Sequence, residues 1–247
     1  MPFEIVEEFI DTGFVHIKNN NPLSKSDLKK IVNEFGNMYV YPEEYNFIDD
    51  HSFSIVAKDK LLGDSKLEWH KDMIHTSPWH AGTLLYCEEP SDMPTDFCYT
   101  MNSSLPDKVY EHGCFSGASK VGNKEYKNEA KIMERLYKNP KLRKRINAKN
   151  IFTTHLLDQK PEKFNYYVDH PITNEKCISA SPATMIIESK ERTSIIDDLL
   201  KNNKQFSHNW NKYDVIIYDN YKLMHSRQDG PGNRTLIRIN FNYDKIL

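Results

Sequence analysis

Residues 234–241 read RTLIRINF, and this alternating segment decides how the rest of the chain is interpreted. Successive side chains of an extended strand point to opposite faces, so the isoleucines and the phenylalanine share one face while Arg234 and Arg238 share the other. The apolar face is typical of a strand that packs on a core. Arginines that face a barrel interior would need anionic partners, because burying an unpaired charge is costly. The alternative is a surface strand whose arginines stay in solvent.

Short β segments of this kind recur along the chain. Strands are predicted near residues 53–57, 83–87, 97–101, 151–155, 176–180, 184–187, 215–218 and 236–241. Turns rich in Pro, Gly and Asn separate these segments, which is typical of a sandwich or barrel. We therefore predict a mainly β jelly roll with decorating helices, an architecture that includes the metal-holding, cupin-like barrels.

Helices are predicted up to Ile10 and over 125–149 and 191–203, and an amphipathic helix is predicted between Ser24 and Gly36. In this helix, apolar residues recur at a spacing of three and four. Ser24 or Ser26 can cap its start. Gly36 stands where a residue in the left-handed conformation ends many helices.

Length and composition predict a single domain over residues 1–247, since one core can still grow to this size. The chain has 33 basic and 35 acidic residues, a net charge of −2, which argues against a nucleic-acid-binding protein. No apolar run is long enough to span a membrane, and the acidic start does not look like a signal peptide. The four cysteines are widely spaced, so we expect a cytoplasmic protein without disulfides. A homo-oligomer remains open.

A candidate metal site begins in residues 67–72, LEWHKD. In an extended segment His70 and Asp72 would point to the same side and offer one imidazole and one carboxylate. A third ligand could come from His225, which follows an apolar strand and an Asp-Asn turn. Two histidines and one carboxylate are the ligand set of non-haem Fe(II) oxygenases. The alternative for His70 and Asp72 is a pair of polar residues on an edge strand.

Several segments in the same order resemble the Fe(II)/2-oxoglutarate dioxygenases of the taurine dioxygenase (TauD/TfdA) type. The first elements of the resemblance are Trp69–Asp72, the distant His225 and the Arg234 beyond it. Further similar segments are 13–19 with the helix that ends at Phe35-Gly36, Pro90 with 95–97, the His-Pro segment 170–175, and Asp219-Asn220. The resemblance covers most of the chain and implies a double-stranded β-helix.

The resemblance implies a role for each matching residue. His70, Asp72 and His225 would ligate Fe(II), and Arg234 would bind the distal carboxylate of the co-substrate 2-oxoglutarate with help from Thr95. Arg238 matches a second family arginine that can contact an anionic substrate group. Residues 93–96 read Met-Pro-Thr-Asp where the family usually has Gly-Gly-Asp-Thr, so whether Thr95 or Asp96 takes the co-substrate position is left open.

The implied activity is oxidative decarboxylation of 2-oxoglutarate with O₂, coupled to hydroxylation or desaturation of a small substrate. Asp72 argues against halogenation, because related halogenases have a small residue at that position. Arg238 favours a substrate with a carboxylate, sulfonate or phosphate group, and amino acids are the leading expectation. His75 is the nearby histidine expected to line the substrate pocket.

Two alternatives follow from the same residues. The first is a catalytically silent jelly roll that binds metal or 2-oxoglutarate without turnover. The second is a partner-binding module that uses residues 127–149, where nine Lys or Arg stand against two Glu. This basic helical insertion can be a solvated helix face, a lid, or a docking surface for an acidic partner.

Overall fold

The computed structural model describes residues 2–40, 48–50, 52–57, 61–62, 66–72, 74, 80–112, 162–185, 187–228 and 233–246. The helices in this part of the chain are α1 (Pro2–Thr12), α2 (Lys25–Asn33) and α3 (Ser189–Asn202). The strands are β1 (Phe14–Ile17), β2 (Ile48–Asp50), β3 (Phe53–Ala57), β4 (Leu61–Leu62), β5 (Leu67–His70), β6 (Gly82–Glu89), β7 (Thr95–Tyr99), β8 (Val109–His112), β9 (Glu162–Asn165), β10 (Tyr167–Asp169), β11 (Lys176–Ile178), β12 (Gln205–His208), β13 (Val215–Asp219), β14 (Leu223–Arg227) and β15 (Thr235–Phe241).

Two sheets form the sandwich. The major sheet has the order β1-β13-β6-β15-β3-β2, with β4 added beside β3. The minor sheet has the order β12-β7-β14-β5. All pairings in both sheets are antiparallel except the short β3–β4 pair. β1 and β12 therefore lie at the edges of their sheets.

Alternation along the strands creates a separate core on each side of the major sheet. In β13, Ile217 packs outward with α1 and α2, whereas Ile216 packs in the cluster between the sheets. A third cluster joins α3 to the outer face of the minor sheet through Leu199 and Met224. The layers are therefore helices, major sheet, minor sheet and helix, and the space between the sheets is where inward-facing polar groups meet.

The alternation of apolar residues and arginines in residues 234–241 places the two kinds of side chain on opposite faces of the major sheet. Ile237 and Ile239 belong to the helix-side core, so Arg234 and Arg238 project toward the space between the sheets, where both are buried. The two guanidinium groups are not on a solvated surface.

Most predicted elements of the described part are present, with one exception. Thr184 and Met185, in the predicted strand 184–187, are not in a strand: the Met185 N–H and the Thr184 hydroxyl both donate to the Ser181 carbonyl, which makes a local turn. Only an isolated bridge joins Met185 to His112. The predicted strand 151–155 and the basic helical insertion at 125–149 lie outside the described residues.

Gly36 has a different role from the one predicted. Ser24 caps α2 as one of the two candidate serines, through a reciprocal capping box with Asp27. However, among the described glycines only Gly13 has a positive φ. A Cβ on Gly36 would lie 1.8 Å from the Asn242 carbonyl oxygen. Glycine is required here because the C-terminal segment passes too close for any side chain.

Candidate active site

Strand pairing brings His70 and His225 together. His70 ends β5, and its register partner on β14 is His225. Their ring centroids are 4.1 Å apart. Asp72 lies in the turn that follows β5, and ligand atoms of all three side chains lie within 4.8 Å of one another. The three residues are at most 8% exposed, so the structure assembles a buried His₂-carboxylate cluster from segments far apart in sequence.

The Asp72 turn is fixed by Asn220, which precedes β14. The Asn220 side-chain oxygen accepts from the Asp72 N–H at 2.9 Å, while its amide nitrogen donates to the carbonyl oxygens of Asp72 and His80. A strand alone therefore does not explain why Asp72 points at the histidines, because β5 has already ended at His70. The Asp-Asn turn before β14 holds the carboxylate in place.

Three side chains contact the Asp72 carboxylate. Tyr218 and Thr83 donate their hydroxyls to Oδ2 at 2.7 and 3.0 Å, and Arg238 donates Nη1 to Oδ1 at 3.2 Å. Burial is the largest single effect and raises the pKa of Asp72, but Arg238, the two neighbouring histidines and the Tyr218 hydroxyl together outweigh it, and the pKa lies well below its usual range. Asp72 is therefore an ionised carboxylate in a site with little water.

The imidazoles of His70 and His225 are neutral because, in contrast to Asp72, the effect of burial prevails over the neighbouring charges. Burial lowers the pKa of His70, and burial together with the neighbouring His70 lowers the pKa of His225 to about 3. His70 Nδ1 lies 2.7 Å from the Glu68 carbonyl oxygen, an acceptor that requires the proton on Nδ1. The lone pair of His70 is then on Nε2, toward Asp72. A backbone carbonyl that fixes the tautomer in this way is the usual support of a metal-binding histidine.

A second group of polar side chains surrounds Arg234. Its Nη1 donates to the Thr95 hydroxyl at 3.2 Å and to the Met93 carbonyl at 3.3 Å, and its guanidinium lies over the Trp210 ring at 5.8 Å. Trp210 also donates Nε1 to the Thr95 hydroxyl at 3.0 Å. Burial, followed by the charge of Arg227, lowers the pKa of Arg234 to about 10, and the group stays charged at neutral pH.

Both groups of residues border one cleft between the sheets. Its walls include Asp72, Thr95, Tyr218, His225, Arg227, Arg234 and Arg238. The cleft carries three guanidinium groups against the single carboxylate of Asp72, so it favours anionic ligands.

The structure also shows where Thr95 and Asp96, the two candidates for the co-substrate position, lie. Thr95 lines the cleft, whereas the Asp96 carboxylate accepts from Ser207 and Gln228 on an exposed side of β7. Thr95 is therefore the residue beside Arg234. His75 lies outside the described residues.

Three residues of the site were not singled out for these positions in the sequence. Arg227 shares a face of β14 with His225, so two-residue alternation was the signal that could have found it. Tyr218 lies in an apolar strand, where an aromatic residue is typical of the core, but its hydroxyl reaches Asp72 and lies 3.4 Å from His225 Nε2. Asn220 stood in a recognised segment, but its contact with the Asp72 turn depends on the fold.

No helix in the described part of the chain is long and apolar enough to cross a membrane. No family model and no curated protein matches the sequence. Solved structures, in contrast, match nearly the whole chain.

The chain is similar to AAD-2, a structure determined with Mn(II) and N-oxalylglycine, at 17% identity and a TM-score of 0.65, covering 97% of this chain and 86% of that one. It is similar to a taurine dioxygenase from Burkholderia xenovorans at 13% identity and a TM-score of 0.59, covering 98% and 80%. It is also similar to PvcB, an Fe, alpha-ketoglutarate-dependent oxygenase from an isonitrile synthetic pathway, at 11% identity and a TM-score of 0.58, covering 98% and 80%. The chain therefore has the double-stranded β-helix fold of these structures, as the sequence predicted.

Proposed function

We propose that this protein is an Fe(II)- and 2-oxoglutarate-dependent dioxygenase that hydroxylates or desaturates a small anionic or amino-acid-like substrate. The observation that carries the proposal is the buried cluster of His70, Asp72 and His225 at a cleft that also contains Arg234. The fold likeness to oxygenases that use alpha-ketoglutarate supports it.

The residues fit the proposed metal. One ligand atom from each of His70, Asp72 and His225 lies within 4.8 Å of the others, and the neutral imidazoles and ionised carboxylate are all in the protonation state that ligation needs. Two histidines and one carboxylate leave open positions on a six-coordinate iron for 2-oxoglutarate and O₂. When bound together, iron, 2-oxoglutarate and O₂ supply the oxidant that takes hydrogen from a C–H bond, while 2-oxoglutarate becomes succinate and CO₂.

Arg234 is proposed to bind the distal carboxylate of 2-oxoglutarate. Its guanidinium is held by Thr95 and Trp210 at one end of the cleft, separate from Asp72. Arginine suits this task because its planar fork can donate two parallel hydrogen bonds to one carboxylate. Arg234 directly precedes β15 and is four residues from Arg238, roughly 13 Å in an extended chain, so the two arginines serve different groups.

Arg238 and Arg227 support an anionic substrate. Arg238 already holds Asp72, and a substrate carboxylate, sulfonate or phosphate beside it would lie next to the metal ligands. Arg227 adds positive charge to the same cleft. His75 remains a further proposed substrate contact, and residues 1–247 a proposed single domain. A cytoplasmic location is also proposed, which the buried free thiols of Cys87, Cys98 and Cys177 support.

The test is succinate formation from 2-oxoglutarate with Fe(II) in air, measured with a panel of amino acids and small organic acids. A dioxygenase forms succinate slowly without substrate and faster with the right one, whereas a silent binding protein binds 2-oxoglutarate and forms none. His225→Ala should abolish the product. Full activity of a folded His225→Ala variant would overturn the proposal.

A further inference from the structure

A second cluster of metal-ligand side chains lies at the edge of the sandwich, outside the cleft. His16 is on β1, the edge strand of the major sheet, and His208 is on β12, the edge strand of the minor sheet. Asp214 directly precedes β13. The ligand atoms of these three residues lie within 4.8 Å of one another, so the cluster joins the two sheets where neither has a further strand.

The nitrogen atoms of this cluster converge on Asp214 without forming hydrogen bonds. Nε2 of His16 is 3.2 Å and Nε2 of His208 is 3.8 Å from Asp214 Oδ2. Both Nε2 atoms are buried, and neither has a hydrogen-bond partner among the described residues. Buried polar atoms in native proteins are almost always satisfied, so two orphaned imidazole nitrogens beside one carboxylate need an explanation.

The carboxylate of Asp214 is held in a fixed orientation. Asn211 donates its backbone N–H and its side-chain amide to Asp214 Oδ2 at 3.0 and 3.1 Å. The preceding residue, Tyr213, has a φ of 71°, a left-handed conformation that is unfavourable for an aromatic residue. Backbone strain next to an oriented carboxylate is common where a protein positions a ligand.

A histidine–aspartate ion pair does not account for the whole arrangement. His208 is 7% exposed, and burial, together with the nearby His16, lowers its pKa to about 4. Its imidazole is therefore neutral at neutral pH and has a lone pair available. An ion pair between His16 and Asp214 would still leave His208 Nε2 unsatisfied.

We propose that His16, His208 and Asp214 form a second, non-catalytic site for a divalent transition metal, with Zn²⁺ as the expected ion. Zinc takes imidazole nitrogen and carboxylate oxygen at about 2.0–2.2 Å in a tetrahedron, which puts neighbouring ligand atoms roughly 3.3 Å apart. The measured separations of 3.2 and 3.8 Å need only a small adjustment. The His16 side chain is 24% exposed, and a water molecule is the expected fourth ligand.

A zinc ion bound here would link the edges of the two sheets close to Arg234. His208 is the register partner of Thr95, and its ring packs at 4.5 Å against Trp210. Trp210 and Arg234 both contact the Thr95 hydroxyl.

The test counts zinc bound to metal-free protein, by titration calorimetry and elemental analysis after desalting. His16→Ala should bind one equivalent fewer than the unaltered chain, and this difference is expected whether or not the cleft binds metal. His16 is the preferred variant because it is partly exposed on an edge strand. Asn209→Ala, an exposed neighbour of His208, is the matched control and should bind as much zinc as the unaltered chain.

A second variant set isolates the proposed site. The double variant Asp72→Asn/His225→Gln removes two of the three proposed ligands of the cleft and should still bind one zinc per chain. Zinc should raise its Tm by about 5–10 °C at a concentration 100-fold above Kd. Adding His208→Gln should abolish both the binding and the shift. Equal zinc binding by His16→Ala and the unaltered chain, or none by the folded double variant, would overturn the proposal.

Discussion

The guanidinium of Arg238 lies 3.2 Å from the carboxylate of Asp72, and both side chains are more than nine-tenths buried. Asp72 is thus ionised and oriented before any ligand arrives. The contact links an arginine of β15 in the major sheet to the candidate metal site on the minor sheet. Removing it tests whether the site is preorganised.

Arg238→Met should weaken Mn(II) binding, with Mn(II) as a redox-stable substitute for Fe(II), by roughly 10–100-fold. The pKa of Asp72 rises when its cationic partner is lost, so the defect should be larger at pH 6 than at pH 8. Electron paramagnetic resonance titration measures free Mn(II) directly. Arg192→Met removes another buried arginine, one that donates to the Met185 carbonyl, and should leave Mn(II) affinity unchanged. Equal or tighter binding by Arg238→Met would mean that the arginine only repels the cation.

Arg234→Lys should raise the KM for 2-oxoglutarate by roughly 10–100-fold, because lysine keeps the charge but not the planar fork. Thr95→Val should have a smaller effect, about tenfold, since it removes the hydroxyl that orients both Arg234 and Trp210. Steady-state succinate formation at varied 2-oxoglutarate gives both values. The metal affinity of both variants should stay normal, and a KM that stays unchanged in Arg234→Lys would remove this residue from the co-substrate site.

The acid stability of the metal-free protein should depend on His208. Its pKa is about 4 in the folded chain and about 6.5 when unfolded, so between these values the unfolded state binds the proton first. The free energy of unfolding should fall as pH drops from 6.5 to 4, and this fall should be shallower in His208→Gln. Urea unfolding in the presence of a chelator at several pH values measures it. Parallel curves for the two proteins would contradict the burial of a neutral His208.

Gly36→Ala should destabilise the fold by about 1–3 kcal/mol, because the new methyl group would meet the Asn242 carbonyl oxygen and the backbone must move. A loss of about 2–4 °C in Tm per kcal/mol is expected for a chain of this size. Glu34→Ala, which changes an exposed side chain two residues before it, should change stability by less than about 0.5 kcal/mol. A fully stable Gly36→Ala protein would show that the C-terminal segment does not pack there as described.

The sequence predicted the features that depend on short-range patterns, namely the faces of strands and the caps of helices. The inward arginine face of β15 and the Ser24 cap both follow from patterns within a few residues. The sequence could not show that Arg238 pairs with Asp72, because that contact depends on how the sheets stack. It also could not place Tyr218, whose hydroxyl reaches the site only because β13 turns that face inward. Gly36 was misread for the same reason, since the chain that crowds it is distant in sequence.

The most direct test of the central claim is an anaerobic titration of metal-free protein with Fe(II) and 2-oxoglutarate, followed by admission of air. The proposed site predicts a weak visible charge-transfer band that needs both ligands, and then succinate in an amount set by the 2-oxoglutarate consumed. Asp72→Ala and His225→Ala should lose the band and the succinate while keeping the fold, as circular dichroism would show. A folded, unaltered protein that gives neither band nor succinate would contradict the account.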